Sequence, residues 1–225
     1  GAGDHTTVQA AIDAAISGDV ITLAPGTYNE DILVESKSIN IQGVDEDARD
    51  TTRIVGSGAG AVASIVGGIV NLSDFSISGG TLGISISTNA ISTLDNLVIE
   101  DNIGGEDGGG LSLASNSEAV VNNVLIQNNA SARGAGVHSA SGAKKLQIID
   151  STIRYNAATD DGGGIHSTAP LFVQNSWISD NTAEGNGGGL YASTIAPEVD
   201  GSDFWGNRAE NGGAIAMEST STISI

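Results

Sequence analysis

Cysteine is absent from this chain of 225 residues, so neither disulfides nor thiolate metal sites are available to hold it together. Aromatic residues are scarce, with three Phe, three Tyr and two Trp, which leaves a narrow core to be filled by Val, Ile, Leu and Ala. Basic residues are few as well. Eight Lys and Arg stand against 27 Asp and Glu, for a formal charge of −19. Such a surface repels phosphate backbones and excludes nucleic acid as a partner. Anionic polysaccharides meet the same objection unless a cation mediates. No apolar run is long enough to cross a membrane as a helix.

Glycine is abundant, with 32 residues, and its placement repeats. Asp150-Ser-Thr-Ile-Arg-Tyr-Asn156 precedes Gly162-Gly-Gly-Ile165, and Asn175-Ser-Trp-Ile-Ser-Asp-Asn181 precedes Gly187-Gly-Gly-Leu190. Gly201-Ser-Asp-Phe-Trp-Gly-Asn207 precedes Gly212-Gly-Ala-Ile215, and two earlier copies end on Asn102 and Asn129. The closing asparagines therefore fall at 102, 129, 156, 181 and 207, in steps of 27, 27, 25 and 26 residues. A period of this size means stacked units. Apolar residues alternate in short runs such as Leu171-Phe-Val173 and never hold a helical spacing for long. Short strands between Gly and Asn turns predict an all-β solenoid, a right-handed parallel β-helix of about seven or eight rungs.

One domain over residues 1–225 is expected, with regular repeats over about 94–222. A short capping α-helix is expected over about 4–18, with Thr6 as N-cap, Gln9 as its capping-box partner and Gly18 just past its end. Val8, Ile12, Ala15 and Ile16 share one face of it, suited to covering the open first rung. Alternation assigns Val20–Leu23, Ile32–Val34 and Ser38–Ile41 to the first rung, and Arg53–Val55, Val62–Val66 and Ile69–Ile77 to the second. Ile223-Ser-Ile225 reads as the opening strand of a further rung. The chain is accordingly expected to continue in a longer protein and to associate end to end there.

Ala11 to Tyr28, with Ala24-Pro-Gly-Thr-Tyr28 at its end, resembles the N-terminus of right-handed β-helix proteins of the pectate-lyase-like superfamily. The later copies resemble the repeats of polymorphic outer-membrane proteins, whose hallmarks GGAI and FxxN stand here as Gly212-Gly-Ala-Ile215 and Phe204-Trp-Gly-Asn207. The other copies replace Phe by Ile and vary the last Gly. These resemblances cover nearly the whole chain. They imply an extracellular or cell-surface protein of bacterial secreted type, in a superfamily of lyases, hydrolases, esterases and adhesins.

Inward and outward columns follow from the frame. Leu97/Ile99, Val124/Ile126, Ser151/Ile153, Ser176/Ile178 and Ser202/Phe204 face in. Trp177 and Trp205 face out as diagonal neighbours on adjacent rungs, roughly 7–8 Å apart. Two exposed indoles so placed can stack on sugar rings or shield a loop or subunit contact; with Tyr191 they are the candidate ligand-binding residues. The column after the glycines reads Ser112, His138, His166, Tyr191, Ala216 and is expected to be solvent-facing, although stacked histidines can also serve a metal or act as acid and base. Asp107, Asp160 and Asp161, within an acidic edge, are candidates for weak calcium binding by hard oxygen ligands. No cofactor is required.

Polygalacturonases resemble this fold and use paired carboxylates, which would make Asp160, Asp161 and His166 catalytic. A lyase of this superfamily would need a basic residue beside calcium-binding carboxylates, for which Arg154 and Arg133 are the nearby candidates. Their GHG and RxK motifs are not matched, since Gly164-Ile-His166 stands here and RxK is absent. The reading that follows is a non-catalytic structural or adhesive module with a glycan or cell-surface partner. The alternative is a polysaccharide lyase or glycoside hydrolase.

Overall fold

The computed structural model describes residues 5–45 and 48–218; Ile223–Ile225, and the expectations attached to them, lie outside these. The chain winds as a right-handed parallel β-helix. Three of its four sheets have eight strands each. The first runs from Val20–Leu23 to Glu198–Asp200 and the second from Gly26–Asn29 to Asp203–Trp205. A third, short sheet of four strands appears only in later turns, as Ile103–Asp107, Ala130–Arg133, Ala157–Ala158 and Thr182–Ala183. The fourth runs from Ile32–Glu35 to Ile215–Met217.

Strand pairing is parallel throughout these sheets, so equivalent residues of successive turns stack about 4.8 Å apart. Ile54, Ile77, Ile99, Ile126, Ile153 and Ile178 make one continuous column, each in register with the next and each fully buried. Phe204 continues it. The paired β-branched side chains suit a pleated surface buried on its inner side. Ile39–Gly43 pairs with Val20–Leu23 and so opens the second turn, while Ile69–Ser73 and Ser76–Ser78 belong to the third. Apolar alternation places Ser38–Ile41 and Ile69–Ile77 one rung too early, because it marks strands without marking where a circuit closes.

The cap is a helix, Val8–Ala14, shorter than expected. Thr7, not Thr6, is its N-cap, with the Oγ1 accepting from the Ala10 N–H at 3.2 Å. Gln9 does not close a capping box. Its amide donates to the Leu33 carbonyl and accepts from the Leu33 N–H, the two bonds a neighbouring strand would make. The free N–H groups of the first turn are satisfied instead by Glu30, whose carboxylate accepts from Val8 and Gln9 at 2.9 Å each. Lys37 Nζ donates to the Ile12 and Asp13 carbonyls near the other end. Val8, Ile12 and Ala15 are buried, whereas Ile16, beyond the helix, is exposed.

The five asparagines occupy one column, at the turn that leaves the second sheet. Asn102, Asn129, Asn156 and Asn181 are buried. Each Oδ1 from Asn129 to Asn207 accepts both the backbone N–H and the Nδ2 of the asparagine one turn earlier, at 3.0–3.1 Å. Their Nδ2 groups also donate back to the second sheet, to the carbonyls of Ile99, Ile126, Ile153 and Ile178. The glycine clusters are the counterpart of this column. A Cβ on Gly136 would lie 2.5 Å from the Gly164 carbonyl oxygen and 3.1 Å from Asn156 Nδ2, and Gly110 is equally closed in by Gly136 and Asn129. Gly162, Gly187 and Gly212, which open their clusters, have φ between 62° and 69°.

A parallel column of serines was legible only as inward-facing positions. The backbone N–H groups of Val124, Ser151 and Ser176 donate to the hydroxyls of Ser151, Ser176 and Ser202 one turn on.

Replacing Asn156 by Ala leaves the buried N–H of Asn129 without its acceptor and takes one of two partners from the Asn129 Nδ2 and from the Asn181 Oδ1. The expected loss is about 1–3 kcal/mol for each buried group left unpaired, read as a lower urea midpoint at unchanged slope. Unfolding identical to that of the parent would contradict the ladder's structural role.

Candidate functional site

The outer face of the second sheet and the outer face of the fourth carry the side chains of interest, and they are different faces. On the second sheet, Trp177 is in register with Thr152 and Asp203, and Trp205 with Ser179 and Arg154. The indoles therefore sit on adjacent turns, two residues apart along the strand, as the frame implies. They are 62% and 68% exposed. A ladder of polar side chains leads up to them: Gln127 donates to Glu100 at 2.8 Å, and Arg154 Nε donates to Gln127 Oε1 at 3.0 Å. Tyr155, in the turn beside Arg154, is 53% exposed and lies under the guanidinium, 5.4 Å from its centre.

Tyr191 does not join this group. It lies on the fourth sheet, in register with His166, and His166 is in register with His138. This column is buried, contrary to the solvent-facing expectation: His138, His166 and Tyr191 are 6%, 5% and 8% exposed. The rings pack on each other. The imidazoles stack with centres 5.1 Å apart and an interplanar angle of 21°, and Tyr191 lies 5.2 Å from His166. Alternation assigns these residues an outward direction correctly, but stacked rings of successive turns cover one another, and the acidic edge rises beside them. Asp107 is the neighbour of His138, its Oδ1 3.7 Å from Nε2, and is itself held by Arg133 at 2.8 Å. Tyr191 donates to Glu218 at 2.8 Å.

Burial sets the proton affinities here. Burial pushes His138 down to about 4, against the pull of Asp107 and with help from His166 and Arg133. His166 is lowered by the same burial and by Arg133, opposed by Asp161, Asp107 and Asp160. Tyr191 is raised to about 12 by burial and by its bond to Glu218. Both histidines are therefore neutral near pH 7, and the Nδ1 of each is buried without a hydrogen-bond partner.

Of the candidate catalytic set, Asp160, Asp161 and His166 flank the fourth sheet, whereas Arg154 belongs to the second. Asp161 is occupied structurally: its Oδ1 accepts from the Asn186 backbone at 2.7 Å and from the Asn186 amide at 2.8 Å. Among the described residues no three His, Cys, Asp or Glu are grouped so as to hold a metal ion.

With this geometry in view, the comparisons with known proteins are informative. An alginate lyase from Paenibacillus sp. matches with a TM-score of 0.52 and 15% identity, over 96% of each chain. The shared feature is the parallel β-helix fold. Pectin methylesterase from carrot (TM-score 0.54, 16% identity, all of this chain and 86% of that one) shares it. So does the Aspergillus niger enzyme of that name (0.55, 12%, 99% and 87%). The Chlamydia polymorphic membrane protein repeat matches residues 178–193, the copy that follows Trp177. No curated protein matches by sequence. At these identities the pectate-lyase-like neighbours share the winding of the chain, and the side chains described above must carry any functional argument.

The histidine stack predicts a pH dependence. Its folded-state affinity for protons lies below the unfolded value, so below about pH 6.5 the unfolded chain takes up protons that the folded chain refuses. Stability is fully present above that pH and falls as the pH drops towards about 4, by on the order of 2–3 kcal/mol for His138. His138→Phe keeps a stacking ring and removes the titration, so its stability is expected to vary less between pH 6.5 and 4.5. An equal decline in parent and variant would contradict the assignment.

Proposed function

We propose that this β-helix is a surface-displayed module that recognises glycans without cleaving them. One observation carries the reading: Trp177 and Trp205 stand exposed on adjacent turns of a flat sheet face. Large aromatic surface left in water in a molecule with so few aromatic residues is costly unless a partner covers it. Indole faces are suited to the apolar faces of sugar rings. A solenoid supplies what such a platform needs, since paired strands fix both rings without any loop to order on binding.

The residues that would support cleavage are committed elsewhere. Arg154 lies on the opposite side of the Asn turn from Asp160 and Asp161, Asp161 anchors Asn186, and His166 is buried in its stack. Display at a cell surface is supported by the match of one repeat to a Chlamydia polymorphic membrane protein repeat.

The test is incubation with a panel of neutral and uronic-acid glycans, with and without Ca2+. Unsaturated products, new reducing ends and tryptophan fluorescence are followed together. The expected result is a fluorescence change without products, at least tenfold weaker in Trp177→Ala. Turnover that disappears in Asp161→Ala or Arg154→Ala would replace this reading with a lyase or hydrolase.

A further inference from the structure

The charges around the aromatic platform say more about its ligand, on the premise that it binds glycans. Ser179 is the small residue at its centre. Trp205 stands one turn above Ser179 in the same column, Arg154 one turn below, and Trp177 two residues before it on the same strand. Asp180 follows Ser179 directly, in the turn position between Tyr155 and Gly206. Its carboxylate leans over Gly206, where an added Cβ would meet Oδ1. Asp203, in register with Trp177, closes the upper corner beside Trp205. Three aromatic side chains, Tyr155, Trp177 and Trp205, thus rise on three consecutive turns, with two carboxylates and one guanidinium among them.

We infer that this platform takes a neutral glycan chain and rejects polyuronates. Along the strand direction the three aromatic side chains spread out, Trp177 two residues before the column of Arg154, Ser179 and Trp205 and Tyr155 one after it, so they form a patch rather than a line. The charges set the class of the ligand. Asp180 and Asp203 accept hydrogen bonds from sugar hydroxyls, and Arg154 donates to them, so vicinal hydroxyls find both kinds of partner. A uronate would place a carboxylate beside two fixed carboxylates, in the field of a molecule carrying −19. Arg154 does not reverse that balance. Its Nε is held by Gln127, its plane covers Tyr155, and the ladder it ends begins on Glu100. Tyr155 is thereby a binding residue, in the place that sequence reading gave to Tyr191.

Length-matched hexasaccharides, neutral (β-glucan, mannan, xylan) and acidic (galacturonan, guluronan), are titrated without Ca2+ at 0.15 M salt. Binding is followed at the Trp177 and Trp205 indole N–H signals. At least one neutral chain is expected to bind ten times more tightly than either uronate. Trp177→Ala and Trp205→Ala should each lose tenfold or more, and Tyr155→Ala severalfold, with melting unchanged. Asp203→Asn should narrow the gap by strengthening uronate binding. Uronates binding as well as neutral chains on the same indoles would overturn the neutral preference and leave the glycan reading standing. Indole signals untouched by every glycan at millimolar concentration would overturn both.

Discussion

The rest of the molecule depends on one repeated hydrogen bond, from the backbone N–H of one asparagine to the side-chain oxygen of the asparagine a turn later. Burial of the isoleucine column forbids a slip of one residue, which would turn it outward, but a slip of two residues keeps the same faces and burial alone does not forbid it. The amide column removes that freedom, because each Oδ1 must meet both an N–H and an Nδ2 inside the wall of the coil. The glycines are the price of this arrangement. Gly110 and Gly136 leave no room for a Cβ between the asparagine column and the carbonyls of the next turn. Asn turns and Gly clusters therefore recur together, and the isoleucine column between them stays in line for six turns.

Much of this was legible in the residues. Asn102 to Asn207 announce the period, and alternation in Ser176-Trp-Ile178 is enough to send Trp177 outward and Ile178 inward. What stayed hidden depends on contacts between distant turns. The burial of His138 and His166 comes from the rings that stack on them, which an inward-or-outward assignment cannot express. The engagement of Asp161 with Asn186 has the same origin. At the N-terminus a capping box over Thr6 and Gln9 looked complete, yet Gln9 is better used satisfying the unpaired edge at Leu33, and Glu30 reaches the helix from the next segment. Local motifs lose when a long-range partner satisfies more backbone groups.

The same register that builds the aromatic platform also divides the candidate site residues. Arg154, Tyr155, Trp177 and Trp205 come together because the second sheet stacks them, and Tyr191, Asp160 and Asp161 are carried to another face by the turn that follows Asn156 and Asn181. Arg154 and the Asp160–Asp161 pair therefore lie on different faces of the coil. Binding needs only neighbouring positions on consecutive turns, which a solenoid offers at little cost in ordering.

Native-state hydrogen exchange tests whether the asparagine column holds the coil in register. The amide protons of Asn102, Asn129, Asn156 and Asn181 each donate to a side-chain oxygen in a turn, where amides ordinarily exchange quickly. These four are expected to exchange among the slowest in the protein, by the same global opening as Ile126 and Ile153. Exchange at the rate of exposed turn amides, while the strands on either side remain protected, would contradict it.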